Sequence, residues 1–453
     1  MDTTVAPPRT RTRGDLVLVV ASVAPLLATT NFATPLVLLP QTSEALGAGA
    51  AGHVWILNAI TLGLAAPMLA LGSLADNIGR RRVFSIGAWV LAAACLLAVF
   101  SPNTGVFVAA RIVQGMAGAA LLTTSLGILS AAFPDPEEKR RATGVYGAMV
   151  GAGMAVGVVA AAGLDALWGW NGPYWVFAAV AALIALAAGV VLPETKAERP
   201  RRVDVAGALS LGLGMAALMA GLIRGQQDWT DPLALALMAA GALLGGVFVT
   251  VESRSREPMI DLRLFRGPLF VLSTVSALLV GLAVISVVNF LPSFWQRELD
   301  ITTVEATSLF AVSSAVAFAV SLLVKRVPLD PDRLLLVGFG LEAASAIVLT
   351  TTSTSWSWPI AWISVLGIGT AFGIINTSLA RLAIASVPLD RGSMGAGVSN
   401  SARYLGASVG MPAVAAIEGS VGMVAALWIC VILVVAATGW FTLLGRRRPS
   451  AAG

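Results

Sequence analysis

The chain alternates along its whole length between long apolar stretches and short charged ones. An apolar stretch of about 20 residues is long enough, as an α-helix, to cross the roughly 30 Å hydrocarbon core of a bilayer. Because lipid offers backbone groups no hydrogen bonds, we expect each such stretch to be helical. We predict fourteen membrane spans: Leu16–Leu39, Val54–Ala75, Val83–Phe100, Phe107–Phe133, Ala142–Leu164, Tyr174–Leu192, Val205–Ile223, Leu233–Val251, Leu269–Leu291, Ala306–Val324, Leu334–Thr352, Ile360–Ala380, Met394–Ile417 and Met423–Leu444.

The positive charges test this count independently. With the amino terminus in the cytoplasm, 25 of the 29 lysines and arginines fall in inner loops and tails. Only Arg224 and Arg297 fall in outer loops, and Arg111 and Arg403 fall inside spans. Membrane proteins retain basic residues in cytoplasmic loops, and a miscounted span would reverse every later loop. We therefore predict that both termini are cytoplasmic.

The composition excludes a set of soluble domains. Apolar residues make up 57% of the chain and charged residues 12%, and the mean hydropathy is +0.86. The net charge of +5 is explained by the inner loops rather than by a nucleic-acid partner. One histidine and two cysteines, both cysteines in apolar stretches, offer no metal or disulfide pattern, so no cofactor is expected.

One charged turn contains an acid and glycines that the distribution of positive charge does not explain. Between the second and third spans runs G72-S-L-A-D76-N-I-G79-R80-R81-R82. Gly79 can supply a tight turn, and Asp76 can pair with a helix end or with a nearby arginine such as Arg80 or Arg81. Such a contact can form in one conformation and break in another. The motif, with Gly72 at its start, resembles the signature of the major facilitator superfamily.

Three further segments resemble the fourteen-span drug–proton antiporter branch of that superfamily. They are R111-I-V-Q114-G115 in the fourth span, the glycines Gly144, Gly153 and Gly157 of the fifth, and G395-A-G-V-S-N400-S-A-R403-Y-L-G406 in the thirteenth.

The resemblance implies an all-α major facilitator fold with two six-helix bundles and two inserted helices. The implied domains are residues 1–204, 205–267 and 268–453. It also implies a monomeric exporter of amphiphilic drugs or natural products in the bilayer of a bacterial inner membrane. Such proteins work by alternating access and are driven by the proton gradient.

Three charged residues inside the predicted spans are candidates for the chemistry, because each charge is costly there. Glu342 is the one acid that the spans place at midplane depth, and it is either a proton carrier or a structural acid. The resemblance gives Arg111 a part in proton coupling, with a helix clamp as the alternative. Arg403 either holds its helix in place or lines a substrate path.

Polar and aromatic residues inside spans form the candidate substrate lining. For a single amide, helix packing is the simpler explanation, but as a set these residues could line an amphiphilic cavity: Asn31, Phe32, Thr34, Asn58, Gln114, Asn289, Phe290, Phe294, Trp295, Asn376, Asn400 and Arg403. Asn31 stands where relatives of this branch usually carry a titratable acid. An amide cannot titrate, so the proton would have to be carried elsewhere, with Glu342 as the first candidate.

Two alternatives stay open at this level. One is a facilitator or importer of a metabolite with the same fold. The other is a membrane protein that transports nothing, such as a sensor or a lipid-modifying protein. The absence from the sequence of a nucleophile–base pair or a metal constellation predicts that the chain is not an enzyme.

Overall fold

The structure is a computed structural model that describes residues 11–65, 67–196, 204–226, 228–255, 262–298, 301–324, 327, 329–352, 357–387 and 392–445. Its α-helices are α1 (Arg11–Leu46), α2 (Ala50–Ala65), α3 (Met68–Ile78), α4 (Arg80–Val99), α5 (Thr104–Ala132), α6 (Pro136–Trp168), α7 (Gly172–Val191), α8 (Val205–Gly225), α9 (Pro232–Arg254), α10 (Pro268–Leu279), α11 (Ser286–Glu298), α12 (Thr303–Val324), α13 (Pro331–Thr352), α14 (Trp358–Ala385), α15 (Gly392–Val421) and α16 (Met423–Gly445). A 3₁₀ turn covers Leu262–Arg266, and a π-helical segment, Val280–Ile285, joins α10 to α11.

The regular structure of the described residues is entirely helical, which confirms the predicted all-α class. Within the described residues, eleven helices are long and apolar enough to cross a membrane, or twelve if α2 and α3 form one bent span. Helices also lie at the last two predicted spans. However, α15 does not meet these criteria, and α16 is counted as a shorter apolar helix over Met423–Ala436. The count of fourteen spans therefore stays a prediction.

The second predicted span is broken rather than continuous. Helix α2 ends at Ala65, α3 begins at Met68, and the two axes differ by 46°. Pro67 precedes α3 directly, and proline has no N–H to donate and disfavours helical backbone in the residue before it. The bend changes the direction of the helix axis before α3 reaches the charged turn at Gly79.

The helices pack in two groups. In the first, α1 packs against α5, α6 and α7, α4 packs against α5 and α7, and α2 packs against α5. In the second, α13 packs against α14 and α16, α12 packs against α14, and α15 packs against α10, α14 and α16. Helices α8 and α9 pair with each other, and the two groups meet where α6 contacts α12 and α2 contacts α15. The predicted domain boundaries at residues 204 and 267 stay a prediction.

Small residues let helix backbones approach closely at these contacts. A Cβ atom on Gly115 would overlap the carbonyl of Ile60, and a Cβ atom on Gly63 would overlap the carbonyl of Ile112. Helices α2 and α5 thus cross at a pair of facing glycines. In a bilayer the hydrophobic effect does not drive helices together, so close packing at small residues is a common way for them to associate. The glycine of the R111-I-V-Q114-G115 motif is therefore a packing residue.

The π-helical segment is covered by α15. Ser286 Oγ donates a hydrogen bond to the Gly281 carbonyl oxygen five residues earlier, at 2.8 Å. A Cβ atom on Gly281 would overlap the carbonyl of Arg403, and one on Gly406 would overlap the carbonyl of Leu278. These contacts hold the backbone of α15 directly on that of α10 and the π segment, which fixes the position of Arg403.

Candidate functional site

The charged turn between α3 and α4 forms an ion pair. Arg80 donates to Asp76 Oδ1 from Nε at 3.0 Å and from Nη2 at 2.8 Å, and from Nη1 to the Gly127 carbonyl at 3.0 Å. Asp76 and Arg80 are both partly exposed. Arg80 thus ties the end of α3 to the carboxyl-terminal part of α5, and of the two predicted arginine partners it is Arg80 that contacts Asp76.

Glu194, which the sequence analysis did not select, completes this cluster. It follows α7 and accepts a hydrogen bond from the Arg81 backbone N–H at 3.3 Å. Its Oε2 also lies 3.6 Å from Arg81 Nε and 3.8 Å from Arg82 Nε. The next carbonyl, of Thr195, accepts from the Arg80 N–H at 3.0 Å. A carboxylate at the amino terminus of α4 pairs with its free N–H groups and is favoured by the helix dipole.

Gly79 is required by this arrangement for two reasons. Its φ of +116° is a conformation that side chains rarely adopt, and a Cβ atom there would overlap Glu194. In α6, Gly153 and Gly157 lie against α1, where Thr30 Oγ1 donates to the Gly153 carbonyl at 3.1 Å. The described structure shows no close neighbour at the Cβ positions of Gly72 or Gly144.

Arg111 is sealed inside the first helix group. Its Nη1 donates to Asn31 Oδ1 at 2.8 Å, to the Asn31 carbonyl at 3.0 Å and to Gln114 Oε1 at 2.9 Å. Gln114 Nε2 donates in turn to the Ala94 carbonyl at 3.1 Å, and the guanidinium carbon lies 6.0 Å from the Tyr174 ring centre. Arg111 is 0% exposed. This network joins α1, α4, α5 and α7 through neutral groups.

Arg403 lies in a similar amide setting in the second group. Its Nη1 donates to Asn376 Oδ1 at 2.5 Å and its Nη2 to Asn400 Oδ1 at 2.9 Å. Unlike Arg111, it is only partly buried and lines a cavity of about 70 Å³ between α14 and α15. The cavity also contacts Asn376, Ser399 and Asn400, with an apolar wall formed by Leu379, Ala380 and Ala383.

A largely buried cluster of apolar and aromatic residues lies beside Arg403, where the two helix groups meet. We call it the interface cluster; its members are Ala28, Phe32, Ile60, Leu64, Met68, Ala119 and Leu122, with Leu71, Tyr146, Val150, Met154 and Tyr404 packed against them. All members except Tyr404 belong to the first helix group, in which α3 also lies because it packs against α4 and α5. The Arg403 guanidinium carbon is 5.4 Å from the Tyr404 ring centre, so a cation adjoins this cluster.

Other predicted lining residues are occupied by helix packing. Thr34 donates to the Thr30 carbonyl at 3.0 Å, and Asn58 Nδ2 donates to the Val54 carbonyl at 3.0 Å. Asn289 Nδ2 lies 3.9 Å from Met411 Sδ. Phe290 and Trp295 are buried in the main core, and the side chain of Phe294 lies outside those that the structure describes.

Glu342 is buried, at 2% exposed, but it lies apart from both arginines' hydrogen-bond networks. Its helix, α13, packs chiefly against α14 and α16, and Cys430 of α16 is close enough to interact with it electrostatically. Among the described residues, its Oε2 has no hydrogen-bond partner. In the part of the chain that the structure describes, this buried carboxyl group thus has no neighbouring cation.

Comparison with known proteins places these features in a family. Residues 21–411 match the model of the Major Facilitator Superfamily. The chain is 29% identical over 401 residues to the multidrug resistance protein Stp of Mycobacterium tuberculosis, covering 85% of this chain and 71% of that protein. It is 30% identical over 406 residues to the puromycin resistance protein pur8 of Streptomyces alboniger, covering 87% and 80%.

A third relative is the tetracenomycin C resistance and export protein of Streptomyces glaucescens, at 29% identity over 383 residues, covering 82% of this chain and 70% of that protein. Among solved structures, the human organic anion transporter MFSD10 (TETRAN) matches with a TM-score of 0.66 at 17% identity, over 97% of this chain and 100% of that one. The alternatives of a membrane sensor and of a lipid-modifying enzyme are therefore wrong. The chain belongs to the Major Facilitator Superfamily and is a multi-pass membrane transporter, not an enzyme.

Proposed function

We propose that this transporter exports amphiphilic drugs or natural products across a bacterial inner membrane, as a monomer with both termini in the cytoplasm. Export is driven by inward proton movement. Several relatives carry names that state multidrug resistance, puromycin resistance or export of tetracenomycin C. These names support the same class of cargo here, while the chemistry of the site decides what kind of molecule fits.

The observation that carries the proposal is the position of the interface cluster. It joins Phe32, Met68 and Tyr146 of the first helix group to Tyr404 of the second, directly beside the Arg403 cavity. A molecule with an apolar body and a polar group would contact the partly buried Tyr146 and Tyr404 with the first and the Arg403 cavity with the second. Because the two surfaces belong to different helix groups, movement of one group against the other changes the site, as alternating access requires.

The ion-pair cluster at Asp76, Arg80 and Glu194 suits a conformational latch. Its side chains are partly exposed, so each pair contributes only about 0–1 kcal/mol to stability. Contacts of this strength can break and reform during a transport cycle. We propose that this cluster helps to hold the predicted cytoplasmic side closed.

We propose that Glu342 binds and releases the proton that drives export. A buried carboxylate without a nearby cation is costly, and binding a proton removes that cost. Arg111 is held by neutral amides and has no acid within ion-pair distance among the described residues. We therefore propose that any part of Arg111 in coupling is indirect, through the packing of α1 against α5.

The experiment uses everted membrane vesicles from a bacterial host that expresses the chain, with an amphiphilic dye added to the outer medium. An acid-inside pH gradient should drive dye accumulation, and a protonophore should abolish it. Vesicles with empty vector serve as the control. Accumulation that only equalises the dye concentration, with or without the gradient, would instead indicate a facilitator and overturn the proposal.

A further inference from the structure

The Arg403 cavity carries a positive charge that no described residue neutralises. Its two partners, Asn376 and Asn400, are amides, and the structure shows no carboxylate within ion-pair distance of Arg403 in the part of the chain that it describes. Resting on the function proposed above, we propose that this cavity binds a carboxylate, or a comparable anionic group, of the exported molecule.

The hydrogen-bonding groups of the cavity are suited to an anion. Arginine has five N–H donors in a planar fork, and the two amides take only one each from Nη1 and Nη2. Arg403 Nε has no partner among the described residues. Because both asparagines turn their oxygens toward the guanidinium, their NH₂ groups remain available as donors. With the Ser399 hydroxyl, these groups offer a ligand mainly donors.

The size of the cavity limits what enters it. Its volume of about 70 Å³ is several times the roughly 10–15 Å³ that one water molecule needs. It is far below the roughly 300–1,000 Å³ of a pocket that encloses a whole drug-sized molecule. A carboxylate group therefore fits while the rest of the ligand stays outside.

The interface cluster provides a place for that remainder. Tyr404 adjoins Arg403, and the members of the cluster that are only partly buried, among them Tyr146, Met154 and Tyr404, are the ones that the apolar body would contact. A ligand with its carboxylate on Arg403 and its apolar body on this cluster contacts both helix groups at once. The favoured substrate is thus an amphiphile with an acidic group, rather than a purely cationic one.

The test compares two dyes that differ at one group: rhodamine B, which has a free carboxylate, and its ethyl ester. Binding to purified protein in detergent is followed by fluorescence anisotropy. We expect wild-type protein to bind the acid about tenfold more tightly, in line with a hydrogen bond to a charged group. Arg403→Gln should remove this preference and change the ester affinity by less than about twofold.

Two further variants show whether the loss of acid preference in Arg403→Gln could come from misfolding or from the change in net charge. Asn376→Asp places a carboxylate against Arg403 from within the protein, and it should abolish the acid preference without removing the arginine. Arg333→Gln removes one positive charge from an exposed position beside Asp330, and it should leave the preference unchanged.

Equal binding of both dyes by wild-type protein, or an acid preference that survives both Arg403→Gln and Asn376→Asp, would overturn the carboxylate site. Gradient-driven accumulation in vesicles is measured separately with each of the two dyes. Equal binding of both dyes by wild-type protein, alongside normal gradient-driven export of the ester, would reject this inference and leave the proposed function standing. Selective acid binding without gradient-driven export of either dye would reject the function and leave the site.

Discussion

Two arginines within the transporter's helices have similar partners and different surroundings. Arg111 and Arg403 are each held by the side-chain oxygens of two amides, and each adjoins a tyrosine ring. Arg111 is fully buried among helices of one group, whereas Arg403 is only partly buried and lines a cavity between α14 and α15. The contacts between arginine and amide thus stabilise helix packing at Arg111, whereas at Arg403 they lie beside a cavity that a solute can enter.

The largest effect is expected at Glu342, a buried carboxyl group that contacts neither arginine. Glu342→Gln should abolish gradient-driven efflux, because glutamine has nearly the same shape but cannot carry a proton. Binding of rhodamine B should stay within about twofold of wild type, since α13 packs away from the interface cluster. Efflux from proteoliposomes and binding in detergent measure the two quantities. Efflux at the wild-type rate would show that Glu342 is structural.

The next prediction compares how much stability the protein loses when each of the two arginines is replaced by alanine. Arg111→Ala leaves Asn31 and Gln114 without their buried partner and should lower the free energy of unfolding by about 2–5 kcal/mol. Arg403→Ala should cost about 1 kcal/mol or less, because water can enter its cavity.

Thermal unfolding of the two purified variants gives this comparison. An Arg111→Ala protein that unfolds like wild type but has lost gradient-driven efflux would contradict the packing role. That result would return Arg111 to the direct part in coupling that the sequence motif implies.

A smaller effect is expected at the latch. Asp76→Asn removes a partly exposed ion pair with Arg80, so stability should change by less than about 1 kcal/mol. Transport should fall several-fold. The ion pair is expected only in the state that is closed to the cytoplasm, so its loss destabilises that state relative to the open one. Initial rates of dye export, normalised to folded protein, test this expectation. Asp15→Asn provides a matched control in α1, outside this cluster. Unchanged transport by Asp76→Asn would leave the motif as an anchor for topology only.

The smallest effect uses matched substitutions at the two arginines. Asn31→Asp puts a carboxylate where Oδ1 already lies 2.8 Å from Arg111 Nη1. The stronger charge-assisted bond should raise the midpoint of thermal unfolding by roughly 2–5 °C, with no change in acid preference. Asn376→Asp should instead remove that preference. A loss of acid preference in Asn31→Asp would mean that the Arg111 network also contacts the ligand.

The sequence predicted the all-helical class and the ion pair of Asp76 with an arginine, because apolar length and short-range motif spacing depend on local chain properties. It missed Glu194, which reaches Arg81 across more than 100 residues and stands in an ordinary Pro-Glu-Thr loop. Contacts of that kind depend on how α4 and α7 pack.

The sequence also left the roles of the polar residues unresolved. Asn58 and Asn376 are both amides within predicted spans, but one bonds its own helix and the other holds Arg403 at a cavity. Periodicity alone cannot tell these roles apart, since they depend on which helix lies opposite. The partnership of Asn31 with Arg111 likewise became visible only once α1 and α5 were placed together.

The most direct test of the account is pH-gradient-driven transport of rhodamine B and its ethyl ester by proteoliposomes that contain wild-type or Arg403→Gln protein. We predict that both dyes are transported only when the gradient is present, that wild type favours the acid, and that the variant transports the two at similar rates. Transport that persists after the gradient is collapsed, or an acid preference that Arg403→Gln retains, would contradict the account.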